Sequence, residues 1–125
     1  MRTTDSQLLI RISEEFNKGN LEFSAPYLAE DTQWNILGAD PIIGKTEVLE
    51  VYKMSQLQSF PVITVKNVVA DGNYVVIESK GEAKTKNGQP YNQTYCDVFK
   101  FNDGKLQELT TYLDTALSEK ANNEN

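Results

Sequence analysis

Tyr95-Cys96-Asp97-Val98-Phe99-Lys100-Phe101-Asn102-Asp103-Gly104-Lys105-Leu106 reads as a strand, a tight turn and the start of a second strand. Strand alternation places Tyr95, Asp97, Phe99 and Phe101 on one face and Cys96, Val98 and Lys100 on the other. Asn102-Asp103-Gly104 is turn chemistry, and Lys105 to Asp114 continues as the last strand. Upstream, Tyr91 opens the first of these two strands after the turn Lys86-Asn87-Gly88-Gln89-Pro90. The run before that, Tyr74 to Ala83, sets Val75, Ile77, Ser79, Gly81 and Ala83 against a wetter face of Tyr74, Val76, Glu78, Lys80 and Glu82. Asp71-Gly72-Asn73 links it to Val62–Ala70, a run rich in the β-branched residues that suit a pleated surface. Successive hairpins of this kind predict an antiparallel meander.

The first half carries helical periodicity. Thr4-Asp5-Ser6-Gln7 fits a capping box, Leu8, Leu9, Ile12 and Phe16 recur at helical spacing, and Lys18-Gly19-Asn20 is a stop signal. Leu21, Phe23, Tyr27 and Leu28 suggest a short second helical segment interrupted at Pro26. Glu30-Asp31 reads as a polar turn before a strand over Thr32–Leu37, closed by Gly38, Asp40 and Pro41. Val48, Leu49, Val51, Tyr52, Met54 and Leu57 then suit a third helix that ends near Ser59-Phe60-Pro61. Helices followed by a run of hairpin strands predict one α+β domain over residues 1–125, with helices packed on a curved antiparallel sheet.

Composition excludes several functions. A formal charge of -6 with scattered Lys and Arg argues against a nucleic-acid partner. Apolar runs such as Tyr74 to Ile77 are far too short to cross a bilayer, and Met1-Arg2-Thr3-Thr4-Asp5 has no signal-peptide core, so a cytoplasmic chain is expected, with no membrane partner. The single Cys96 fits a reducing compartment and reads as a small core thiol. The chain contains no histidine, which removes the usual zinc sites and the Ser-His-Asp and Cys-His systems. Acid-base chemistry would fall to carboxylates, tyrosines or lysines. No Gly-rich phosphate loop and no paired-carboxylate spacing is present, and neither a metal nor a cofactor is expected.

Asp97 is the leading candidate, because it shares its strand face with three aromatics. On a covered face, desolvation would raise its pKa and let it donate a hydrogen bond to a ligand carbonyl. The alternatives are a buried carboxylate that accepts bonds from neighbours, or one at a solvated strand end. Asp114, at the end of the last strand, is a weaker catalytic candidate, since Asp there commonly turns the chain. Trp34 and Asn35 should point to opposite sides of their strand. Trp34, Phe99, Phe101, Leu109 and Leu113 are candidate pocket walls. Tyr52, Tyr95, Thr111 and Tyr112 are candidate polar contacts to a ligand.

Five stretches give the chain a family resemblance: Phe16-Asn17-Lys18-Gly19-Asn20, Tyr27-Leu28-Ala29-Glu30-Asp31-Thr32-Gln33-Trp34, Gly44-Lys45, Tyr95 through Leu106, and Tyr112-Leu113-Asp114. In these it resembles the SnoaL-like part of the nuclear transport factor two and ketosteroid isomerase superfamily. The resemblance implies a cone-shaped, cystatin-like α+β fold with a deep pocket, in a homodimer packed through sheet faces. It places Asp97 where ketosteroid isomerases carry the protonated aspartic acid of their oxyanion hole. Ile36 stands where those enzymes have their base and Ile12 where they have their oxyanion-hole tyrosine. Against limonene epoxide hydrolases, Asp97 matches a triad carboxylate, while Tyr95 replaces the arginine and Thr111 the second aspartate. Polyketide cyclases of the SnoaL type use a pocket carboxylate, a part open to Asp97 or Asp114.

Three functions are therefore expected as alternatives. The chain binds a small, largely apolar molecule. It is an isomerase, cyclase or hydrolase that uses Asp97 as acid or base on an apolar carbonyl compound. Or it is a homodimeric interaction module with a vestigial pocket.

Overall fold

The structure is a computed structural model that describes residues 6–59, 62–84, 88 and 90–113. Helix α1, Ser6–Asn17, buries Leu9, Ile12, Ser13 and Phe16. Leu8 was expected in this stripe but is exposed, because the buried stripe runs one position further round the helix. The Thr4-Asp5 half of the expected capping box lies outside the described residues. At the other end Asn20 N–H donates to Glu15 O at 2.9 Å and Gly19 N–H to Phe16 O at 3.0 Å, with Gly19 at φ +89°. This pair of bonds closes the helix in the way the Lys18-Gly19-Asn20 signal predicts, with glycine at the left-handed position.

Helix α2, Leu21–Ser24, is capped by the Asn20 side chain, which accepts from Phe23 N–H. A 3-10 turn over Ala25–Tyr27 follows, with proline at its start. Strand β1, Leu28–Ile36, begins earlier than the sequence predicts. Glu30-Asp31 does not turn the chain. These residues lie in an irregular stretch where the register against the last strand shifts between Leu28 and Gln33. The polar groups are satisfied sideways: Thr32 donates to Gln107 O at 3.3 Å, and Gln107 Nε2 donates to Asp31 Oδ1 at 3.0 Å. A two-residue strand β2, Ile42–Ile43, pairs antiparallel with β1 at the sheet edge and was not foreseen, being too short to show alternation.

Helix α3, Lys45–Ser59, buries Val48 and Tyr52, one turn apart, and leaves Met54 exposed at about 200° round the axis from Tyr52. Strands β3 (Val62–Asp71), β4 (Tyr74–Lys84), β5 (Pro90–Asn102) and β6 (Lys105–Leu113) form the expected meander. Asp103 at φ +52° and Gly104 at φ +77° make the β5–β6 turn, whose strand-matching twist needs positive φ at both central residues. The sheet order is β2-β1-β6-β5-β4-β3. All pairings are antiparallel except β1 with β6, which is parallel. That pairing is possible because the long excursion through α3 and β3–β5 separates the two strands in sequence.

One face of the sheet is dry. Val75 and Ile77 of β4, Phe99 and Phe101 of β5, and Leu106 and Leu109 of β6 pack with Leu9, Ile12 and Phe16 of α1 and Val48 and Tyr52 of α3. Gly81 belongs to the same face. A Cβ built there would lie 2.5 Å from Tyr95 Cε2, so the absent side chain is the space that the Tyr95 ring occupies. Gly81→Ala is therefore expected to destabilise the chain by about 1–3 kcal/mol. In a Tyr95→Ala background the same change should be neutral or stabilising, because only glycine's strand penalty is then removed. Urea unfolding of the four variants checks this, and additive effects would disprove the coupling.

Candidate functional site

The inner face of β5 carries Asp97 between Tyr95 and Phe99, as alternation predicts. Asp97 stands directly opposite Thr111 of β6 on one side and Ile77 of β4 on the other. Ile36 of β1 pairs with Thr111 and so extends the same row. Only 6% of Asp97 and 8% of Thr111 remains exposed.

A directed hydrogen-bond chain ends on the carboxylate. Trp34 Nε1–H donates to Thr111 Oγ1 at 2.9 Å, and the Thr111 hydroxyl donates its own proton to Asp97 Oδ1 at 2.7 Å. The indole has a single proton to give and the hydroxyl a single proton to pass on, so the direction is fixed. Asp97 Oδ2 takes no hydrogen bond from the described residues.

The aromatic surroundings come from three elements. Tyr52 of α3 stacks on Trp34 with centroids 5.6 Å apart, and Phe16 of α1 meets Tyr52 edge-on at 4.7 Å and Trp34 at 6.3 Å. The Tyr52 hydroxyl donates to Phe16 O at 2.6 Å, a carbonyl at the end of α1 that also accepts from Gly19 N–H. Asn35 points the other way, as expected, and donates to Glu108 Oε2 at 2.9 Å.

Burial raises the Asp97 pKa from its ordinary 3.8 to about 6, against the Thr111 hydrogen bond that pulls it down. Tyr52 is pushed well above its usual range by burial and by the Asp97 charge. The Cys96 thiol is also raised, by burial first and then by Asp97 and Glu78. A carboxyl group that titrates near 6 exists in both forms close to neutrality: protonated it donates from Oδ2, ionised it accepts there.

The other candidates distribute unevenly. Phe99, Phe101 and Leu109 are core residues, with Phe99 edge-on to Phe16 at 6.3 Å. Tyr95 shares the face but leans over Gly81, and its hydroxyl donates to Gln93 Oε1 at 2.8 Å. Leu113 lies opposite Tyr95 and is half-buried. Tyr112 must be taken out of the group. It is 46% exposed and pairs with Cys96 on the outer face, because strand alternation turns it away from Thr111. Asp114 lies outside the described residues. Phe16, whose ring meets Trp34, Tyr52 and Phe99, gives no sign in the sequence of a place at the site. Ser79 on the dry face of β4 carries a signal in the sequence, a hydroxyl among Val75, Ile77 and Gly81. Among the described residues no group of three or more Cys, Asp or Glu could hold a metal ion, and no helix is long and apolar enough to cross a membrane.

Three helices packed on a curved, unclosed six-stranded sheet are the cone fold of the nuclear transport factor two-like proteins. Within that class the chain belongs to the SnoaL-like domain family, whose profile matches residues 9–109. No curated protein matches the sequence. Among solved structures, it is similar to an NTF2-like protein of unknown function from Cytophaga hutchinsonii. That pair is 24% identical over 87% of this chain and 98% of the other, with a TM-score of 0.82. A protein provisionally designated a SnoaL-like polyketide cyclase, from Jannaschia sp. CCS1, is 14% identical over 97% and 95% of the two chains, with a TM-score of 0.80. An LEH-like epoxide hydrolase from M. tuberculosis is 19% identical over 94% and 91%, with a TM-score of 0.78. At these identities the likeness establishes the fold alone.

Folding lifts the Asp97 pKa, so the folded chain keeps a proton that the unfolded chain has already lost. The group therefore favours the fold below pH 3.8, and that contribution disappears as pH rises through about 6, a change of at most about 3 kcal/mol. Asp97→Asn imitates the neutral acid. It is expected to match the parent's stability at pH 4 and to exceed it by roughly 1–3 kcal/mol at pH 7.5 in urea unfolding. An equal difference at both pH values would show that Asp97 is not the titrating group.

Proposed function

We propose that the inner face around Asp97 binds a small, largely apolar molecule through one polar group. The observation that carries this reading is Asp97 Oδ2: one oxygen of a buried carboxylate is tied to Thr111, while the other is left without a partner among the described residues. The stacked Trp34–Tyr52 pair and Phe16 offer an apolar, aromatic surface beside it. Thr111 and Trp34 act by holding the carboxylate in one orientation. The single cysteine and the acidic surface fit a cytoplasmic setting.

A second reading is favoured by the titration of Asp97 near 6, where a carboxyl group both gives and takes protons. In it, Asp97 is the acid or base of an isomerase, cyclase or hydrolase acting on an apolar carbonyl compound. The folds of a designated polyketide cyclase and of an epoxide hydrolase support that reading at the level of architecture.

The lone tryptophan lies at the site, so its fluorescence reports occupancy. A carbonyl ligand such as 1-tetralone requires the protonated acid and should quench Trp34 with a Kd that falls as pH drops through 6. In the binding reading, Asp97→Asn changes that Kd by about tenfold or less, and no product forms with the parent chain. In the enzymatic reading the parent turns over a carbonyl compound and Asp97→Asn abolishes turnover with the fold intact. Absence of both quenching and turnover across a carbonyl panel would sink both readings.

We also propose that the partner is a second copy of the chain, docked on the outer sheet face. Val69, Tyr74 and Tyr112 are exposed there, and Val76 and Val98 lie between them in register. Tyr112→Lys combined with Val69→Lys is expected to convert a dimer to a monomer in sedimentation velocity. A parent chain that sediments as a monomer would disprove the assembly.

A further inference from the structure

Ser79 lies on the inner face of β4 between Ile77 and Gly81 and is 1% exposed. Its Oγ makes no hydrogen bond among the described residues. Buried polar atoms without partners are rare in native folds, and each calls for a reason. The register sets Ser79 opposite Tyr95 and Ile77 opposite Asp97. Ser79 and Asp97 are therefore diagonal neighbours on one face, with Cβ atoms about 7 Å apart. Tyr95, which stands opposite Ser79 and two positions from Asp97 on β5, leans over Gly81, and its hydroxyl donates to Gln93 Oε1. This stretch of the dry face thus holds two oxygens, the buried Ser79 Oγ and Asp97 Oδ2, that make no hydrogen bond among the described residues, with Ile77 beside them.

We propose that Ser79 and Asp97 form a two-point polar subsite, and that the ligand carries two oxygen functions about 5 Å apart on an otherwise apolar frame, as across a six-membered ring. The proposal rests on the ligand-binding reading above and adds a requirement to it. One oxygen meets the Asp97 carboxyl group, and the other accepts from or donates to the Ser79 hydroxyl. A ligand with a single oxygen leaves the serine unsatisfied and is discriminated against for that reason.

The test is a Trp34 fluorescence titration with 1-tetralone and 4-hydroxy-1-tetralone, which differ by the second oxygen across the ring. The parent chain is expected to bind the hydroxyketone about tenfold more tightly than the ketone. Ser79→Ala should erase that preference by weakening the hydroxyketone alone. With no ligand present, Ser79→Ala should raise the thermal midpoint, since it removes a buried hydroxyl that makes no hydrogen bond among the described residues. If the ketone binds but the preference is absent or survives Ser79→Ala, the two-point subsite is wrong while the ligand site stands. A lowered midpoint in Ser79→Ala would also overturn it, by showing that the hydroxyl serves a structural bond. If neither compound binds the parent, both the subsite and the reading beneath it fail.

Discussion

The Tyr52 hydroxyl, 2.6 Å from the carbonyl of Phe16, joins the end of α1 to the middle of α3 at the point where both meet the sheet. The bond does two things at once. It gives a second donor to a helix-terminal carbonyl that already accepts from Gly19 N–H, and it sets the Tyr52 ring flat against Trp34 and edge-on to Phe16. With the ring fixed, the indole is held with its N–H toward β6, where Thr111 takes it. The orientation of Asp97 is the last link in that series. A buried carboxylate is held in place by neutral aromatic packing, and among the described residues no cation contributes to its shift.

That arrangement is costly to stability. Desolvation is the dominant influence on Asp97, and the one hydrogen bond from Thr111 only partly offsets it. An apolar residue in the row between Ile77 and Thr111 would suit packing better. The same holds for Ser79, a hydroxyl on a dry face with no hydrogen bond among the described residues. Two groups that work against the fold, diagonal to each other on one face, are easier to understand as parts of a site than as two unrelated defects, since local rules are commonly broken where function requires it.

Much of the framework was legible in the residues. The alternation of β4 separated a drier face from a wetter one, and that of β5 set Asp97 on one face with Tyr95, Phe99 and Phe101, while whether that face was covered stayed open. The Lys18-Gly19-Asn20 stop and the Asn102-Asp103-Gly104 turn appear where their backbone chemistry requires. Misreadings came where a local signal was outweighed by a distant partner. Glu30-Asp31 looked like a turn, yet β6 supplies Gln107 to bond Asp31 and accept from Thr32, so the chain stays extended. Tyr112 looked like a ligand contact because its hydroxyl could serve at a pocket rim, but it pairs with Cys96 on the outer face.

By itself the sequence determined the α+β class, the meander and which residues of β4 and β5 share a face, because these depend on periods of 2 and 3.6 residues and on turn chemistry within a few residues. The tertiary structure alone decided that Trp34, Thr111 and Asp97 form one hydrogen-bonded series. Trp34 and Thr111 are 77 positions apart and meet only because β1 pairs in parallel with β6 across the intervening chain. Nor could periodicity show which carboxylate oxygen would be left open or that the Tyr95 ring would lean over Gly81. Both follow from packing between strands, which no local pattern encodes.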